Sequence, residues 1–209
     1  VAALRTSAAL PRRCVMDKVV ALKDGTEVLI RPMTKEDLDK SFAFFQELPE
    51  DDRKYLRVDV TRRDVVERRI RDIDAGKVKR LVAVINDQIV ADGALELAGH
   101  DWTCHVGELR LIVARPFQRK GLGMLMAREL YGLAASEKVE QLLVSMARPQ
   151  AAARSIFRRL GFREEIILPD HVRDRSGKTH DLILMRCDLE AAWRELETFF
   201  EHSDWQRAR

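Results

Sequence analysis

The chain has 209 residues, 46% of them hydrophobic and 34% charged, enough apolar material for one packed domain and too little length for two full ones. Thirty-seven Lys and Arg against 34 Asp and Glu leave a formal charge of +3, which excludes the strongly basic footprint of a dedicated nucleic-acid binder. Arginine outnumbers lysine 27 to 10, a bias that favours bidentate contacts to carboxylate or phosphate, although GC-rich codon usage produces the same bias.

Cys14, Cys104 and Cys187 are odd in number and widely spaced, so they form neither a disulfide framework nor a zinc site, and a reducing cytoplasm suits them best. No run approaches the roughly 18 apolar residues of a membrane span, so no membrane is expected as a partner. The first 16 residues lack any acid and contain Ser, Arg and Ala, as transit peptides do. The plainer expectation for residues 1–22 is a disordered tail, or sequence upstream of a start at Met16. One domain over residues 23–187 and an amphipathic C-terminal helix over 188–209 then account for the rest.

In chain order, Asp24-Gly25 marks a turn and Thr26 to Arg31 a strand that stops at Pro32. Thr34 with Asp37 resembles a helix cap, and Leu38, Phe42, Phe45 and Leu48 follow at helical spacing up to Pro49. A second helix starts near Thr61, carries Val65, Val66, Ile70 and Ile73 on one face and ends at Gly76. Arg80 to Ile85 and Ile89 to Leu97 flank Asn86-Asp87, a pair able to adopt positive φ, and so form a hairpin. His105 to Val113 is a strand, Gly121 to Ser136 a helix, Gln141 to Met146 a strand, and Ala153 to Leu160 a helix stopped by Gly161. Arg163 to Leu168 and His180 to Cys187 pair as a last hairpin. Leu189, Ala192, Trp193, Leu196, Phe199 and Phe200 then share one helical stripe, with Trp205 beyond. That stripe either packs on its own sheet or meets a twin in a homodimer.

The informative stretch runs from Glu108 to Gly123: a strand, a basic glycine-containing loop and a helix. A helix N-terminus offers unpaired N–H groups and partial positive charge, and glycines there let a diphosphate approach the backbone. Arg119 and Lys120 add charge at the same place. A dinucleotide fingerprint would need glycine at Met126, and a P-loop would need Gly-Lys-Ser/Thr, so neither applies.

Gln118-Arg119-Lys120-Gly121-Leu122-Gly123 matches the Gln/Arg-x-x-Gly-x-Gly/Ala acyl-CoA signature, and the chain from Asp24 to Cys187 resembles the GNAT N-acetyltransferase superfamily. The resemblance implies an α/β fold of the α+β GNAT type. Its centre is a mixed, mostly antiparallel sheet of six or seven strands flanked by helices, here with an extra C-terminal helix. It implies acetyl-CoA as the acyl donor, with no metal, and a primary amine as the acceptor. The N–H groups of Arg119, Lys120, Gly121, Leu122, Gly123 and Met124 would hold the pyrophosphate. The main chain of Leu111, Ile112 and Val113 would pair with the pantetheine arm across a gap splayed from the Gln141–Met146 strand.

Under the same resemblance Glu108 is the base that takes the amine's proton, and the alternative for it is a cross-strand salt bridge. Arg110 shares its strand face and lowers its pKa. The usual tyrosine acid is replaced by Phe157, which packs against core or pantetheine, and Gln150 stands where the family has Asn. Ser145 and Ser155 are the nearby hydroxyls. Asp24 to Met33, Lys35-Glu36-Asp37 and Arg53 to Arg57 look like the opening of bacterial protein-lysine acetyltransferases, so protein lysine leads as acceptor. A polyamine or antibiotic-like amine is the alternative, and a silent CoA-binding module a further one. Glu47, Glu50, Asp51 and Asp52 either attract a cationic amine or form a solvated loop. Asp170, His171, Asp174, His180 and Asp181 lack a metal-ligand spacing and read as a polar hairpin.

Overall fold

The computed structural model describes residues 17–97 and 101–202, with side chains up to 198. Cys14, most of the tail, Trp205 and the side chains of Phe199 and Phe200 lie outside the described residues. The elements are β1 (Lys18–Ala21), β2 (Glu27–Pro32), α1 (Leu38–Glu47), α2 (Glu50–Arg53), α3 (Arg63–Asp74), β3 (Val78–Ile85), β4 (Gln88–Leu97) and β5 (Val106–Val113). There follow α4 (Leu122–Ser136), β6 (Gln141–Ala147), α5 (Ala151–Arg159), β7 (Arg163–Arg173), β8 (Thr179–Asp188) and α6 (Leu189–His202).

One sheet contains eight strands in the order β1-β2-β3-β4-β5-β6-β8-β7. Every neighbouring pair is antiparallel except β5 with β6. The expected six or seven strands become eight because Lys18–Ala21, placed in the tail by sequence, pairs with Glu27–Ile30. Val20 of that short strand packs on the core. Its neighbour Lys18 reaches Glu129 at 2.7 Å.

Local chemistry explains the joints. Asn86 and Asp87 take φ of 48° and 65°, the two positive values that a tight turn between right-twisted strands demands. Asp37, 2% exposed, accepts from the Thr34 N–H (3.0 Å) and from both terminal nitrogens of Arg31 (2.6 and 2.7 Å), which fixes the start of α1.

Helices cover both faces of the sheet. On one face Leu122, Leu125, Met126, Leu130 and Leu133 of α4 are buried in the larger core, joined by Leu189, Ala192 and Leu196 of α6. The described part of the C-terminal stripe therefore packs on its own domain. Gly93 on β4 makes this close: a Cβ there would lie 3.0 Å from Leu130 Cδ1 and 3.1 Å from Met126 Cε. On the other face Phe44, Phe45 and Leu48 of the α1 region, with Ile70 of α3, cover Val82, Val84 and Ile89.

Candidate active site

The parallel pair β5–β6 is the break in the sheet. It is joined only through Val106, Gly107 and Glu108 against Gln141, Leu142 and Leu143. Beyond Glu108 the strands part: β5 continues along β4 to Val113, while β6 continues along β8 to Ala147. Ala114 donates its N–H to the Val90 carbonyl on β4 at 3.0 Å, so strand alternation turns the main-chain groups of Val113 and Leu111 the other way, toward the gap. Gln118 Nε2 donates to the Val113 carbonyl from that side at 2.8 Å.

At the far end of β5 the loop reaches α4. Arg119 has φ 60° and Gly121 φ 91°, so the chain turns through the left-handed region twice within three residues, once at the position where glycine is at ease. Leu122 and Gly123 open the helix, and their N–H groups have no intrahelical acceptor. A Cβ on Gly123 would meet nothing nearer than Val113 Cγ2 at 4.0 Å. Internal packing thus does not fill the space at Gly123, which leaves the backbone open to an approaching phosphate. Lys120 is bound to Asp24 at 2.9 Å, and Arg119 is exposed. This geometry fits the diphosphate and pantetheine of an acyl-CoA.

A cavity of about 370 Å³ opens at the gap, lined among others by Leu111, Ile112, Ser145, Gln150 and Phe157. Phe157 sits edge-on to Phe162, centroids 5.2 Å apart, and offers no proton. Gln150 Oε1 accepts from the Ala147 N–H at 2.9 Å, which closes the end of β6. Ser155 is exposed.

Glu108 stands where the strands part. Ser145 Oγ on β6 donates to its Oε1 at 2.7 Å. Arg57, on the connection from α2 to α3, grips the same carboxylate with two nitrogens: Nη1 to Oε2 at 3.0 Å, and Nη2 to Oε1. Burial pushes the Glu108 pKa up, but the hydrogen bonds from Arg57 and Ser145 outweigh it and hold the group below its ordinary value. Arg110 contributes as expected from the shared strand face, though its own partner is Glu96, at 2.7 Å. The residue that the sequence did not single out for this role is Arg57. The only trace of it was the Arg53–Arg57 segment.

α2 and that connection are pinned across the cleft at several points. Asp52 accepts from Arg115 Nε and Nη2, both at 2.9 Å, Lys54 lies 3.5 Å from Asp174, and Arg175 pairs with Asp59. Asp52 of the acidic loop is therefore spent on Arg115. In the last hairpin, Asp174 binds His180 Nε2 at 2.7 Å; Ser176 first, then His180, hold its carboxyl well below the usual range. Among the described residues no group of His, Cys, Asp or Glu is arranged to hold a metal ion, and no helix is long and apolar enough to cross a membrane.

A family model described as an acetyltransferase (GNAT) domain matches residues 27–163. The chain belongs to the GNAT acetyltransferase family, whose members are acyl-CoA-dependent N-acetyltransferases. Among solved structures it is similar to a ribosomal-protein-alanine N-acetyltransferase from Brucella melitensis, at 23% identity and TM-score 0.67, over 77% of this chain and 99% of that one. The GNAT domain of S. lividans PAT is similar at 15% identity and TM-score 0.70, over 82% and 96%. Mycobacterium smegmatis RimJ in complex with CoA-disulfide is similar at 14% identity and TM-score 0.69, over 88% and 94%. A comparison with curated proteins finds no match.

Proposed function

We propose that this chain moves an acetyl group from acetyl-CoA to a primary amine on a protein, foremost a lysine side chain, with Glu108 as the base. The supporting observation is the position of Glu108, an ionised carboxylate at the point where β5 and β6 part. The acyl donor would lie with its diphosphate on the N–H groups of Arg119 to Met124 and its pantetheine along Leu111 to Val113, beside Gln150 and Phe157. The thioester carbon then reaches the gap next to Glu108 and Ser145.

The neutral amine, its ammonium proton already lost to water, forms a bond to that carbon as the carbonyl pair moves onto oxygen; the nitrogen becomes acidic in this tetrahedral intermediate, so even a weak carboxylate base takes its proton, directly or through water. The C–S bond then breaks and CoA leaves as thiolate, a leaving group that tolerates incomplete protonation. This suits a site whose acid position holds Phe157. The similarity to an enzyme named for ribosomal-protein alanine supports a protein acceptor.

The grip of Arg57 on Glu108 favours a second reading, a CoA-binding module without turnover. Purified chain incubated with acetyl-CoA and lysine peptides, polyamines or aminoglycosides separates the two. Acceptor-dependent thiol release supports transfer, and its pattern names the acceptor class. CoA binding without release for any acceptor supports the silent module.

A further inference from the structure

Part of the same cavity is walled by arginine. Arg57, Arg68, Arg69, Arg80 and Arg110 line it with three carboxylates, Asp72, Asp92 and Glu96. Glu108, held by the lining Arg57 and Ser145, makes a fourth. The register explains the clustering. Arg80, Asp92, Glu96, Glu108 and Arg110 all project from one face of β3, β4 and β5, with Glu96 directly opposite Glu108 and Arg110 two residues along.

The ion pairs leave donors unmet. Asp92 Oδ1 serves both Arg80 and Arg69, the latter at 3.1 Å. Glu96 takes only one terminal nitrogen of Arg110. The Nε atoms of Arg80 and Arg110 are buried without a partner, as is Asp92 Oδ2, and the Arg80 side chain is only 5% exposed. The cations also press on one another. Burial first, then Arg80 and Arg110, bring Arg69 down to about 10 against the pull of Asp92. Burial and then Arg57 lower Arg110. Five arginines against four carboxylates, Glu108 included, leave this wall with one cation more than it has anions, and the exposed guanidinium groups beside Glu108 can receive a further one.

Resting on the reading that this cleft passes acetyl to an amine, we propose that the acceptor carries a carboxylate beside that amine, and that Arg57 and Arg110 receive it. These two flank Glu108 and keep 38% and 35% of their side chains exposed, whereas Arg69 and Arg80 are enclosed. With the amine at Glu108, a neighbouring carboxylate lies between the two guanidinium groups. It also draws Arg57 away from Glu108, so the base is released when an acceptor with the right charge arrives. The carboxylate belongs either to a free amino acid or to an acidic side chain next to the acceptor amine in a polypeptide.

The test uses matched acceptors, each assayed by CoA thiol release with the full chain. Free amino acids are compared with their carboxamides, and lysine peptides carrying a neighbouring Asp with the same peptides carrying Asn. The proposal expects kcat/KM at least about tenfold higher for the carboxylate member of one pair type, the type identifying the source. It also expects Arg110→Gln to shrink that ratio to about threefold or less while CoA binding is kept, and Arg110→Lys to preserve part of it. Equal rates for acids and amides with wild-type chain overturn the carboxylate proposal and leave the transferase reading standing. No release with any acceptor overturns both.

Discussion

Arg57 and Glu108, 51 positions apart in sequence, meet in a two-pronged ion pair across the cleft. A carboxylate at the parting of two strands is thereby held ionised by a cation on a separate connection. Its hydrogen bond from Ser145 ties the same group to the opposite lip. The carboxylate is therefore stored in a paired state, and its basicity depends on what Arg57 is doing.

Replacing Arg57 by Gln removes the charge that lowers the Glu108 pKa while burial, which raises it, remains. The acid limb of the kcat/KM profile then moves to higher pH. The sign for stability is the usual carboxylate one. The wild-type pair contributes fully above the unfolded value of about 4.3 and loses that contribution as pH falls through the depressed folded value. Arg57→Gln flattens this acid dependence. A pH series of thiol-release rates and urea midpoints checks both, and an unmoved acid limb means that Arg57 does not set the base.

Gly123 and Gly121 separate two reasons for glycine in the loop that opens α4. A Cβ on Gly123 has room within the protein, and Gly123→Val places a branched side chain where the diphosphate would lie. Affinity for CoA should fall about tenfold or more, beyond what any change in melting temperature accounts for. Gly121→Ala forces an L-residue into φ 91° and should cost about 1–2 kcal/mol of stability. Calorimetry and thermal melts on the two variants distinguish a binding effect from a folding effect.

Most of the architecture was legible because periodicity and turn chemistry are local. The Asn86-Asp87 turn, the α4 stripe from Leu122 to Leu133 and the loop ending in Gly123 each announce themselves within a few residues. β1 was not legible, because four residues with alternating exposure gain strand character only by pairing with β2. Glu108 could be singled out from its offset to Gln118 and the family resemblance. Arg57 could not, since its position over the cleft depends on contacts such as Asp52–Arg115 and Asp59–Arg175, which join segments far apart in the chain. The arginine wall was hidden for the same reason: Arg69 and Arg80 look like surface cations until α3 and β3 fold against β4.

Asp37 is the anchor of α1, and its loss strands Arg31 without a counter-charge. Asp37→Ala is expected to cost about 3 kcal/mol, a drop in Tm of roughly 10 °C. Asp37→Asn keeps the shape but loses the charge and falls between the two. Thermal unfolding followed by circular dichroism measures both, and a change under about 1 kcal/mol for the alanine variant means the buried pair is dispensable.

On the proposed function Glu108 takes the amine's proton in acetyl transfer. Its most direct test is thiol release from acetyl-CoA by wild type and Glu108→Gln, with the acceptor that wild type prefers and with CoA binding measured on both. The substitution is expected to lower kcat by about 10²–10⁴-fold with CoA affinity retained. Equal turnover by the two proteins would contradict it and assign Glu108 to the structure of the cleft alone.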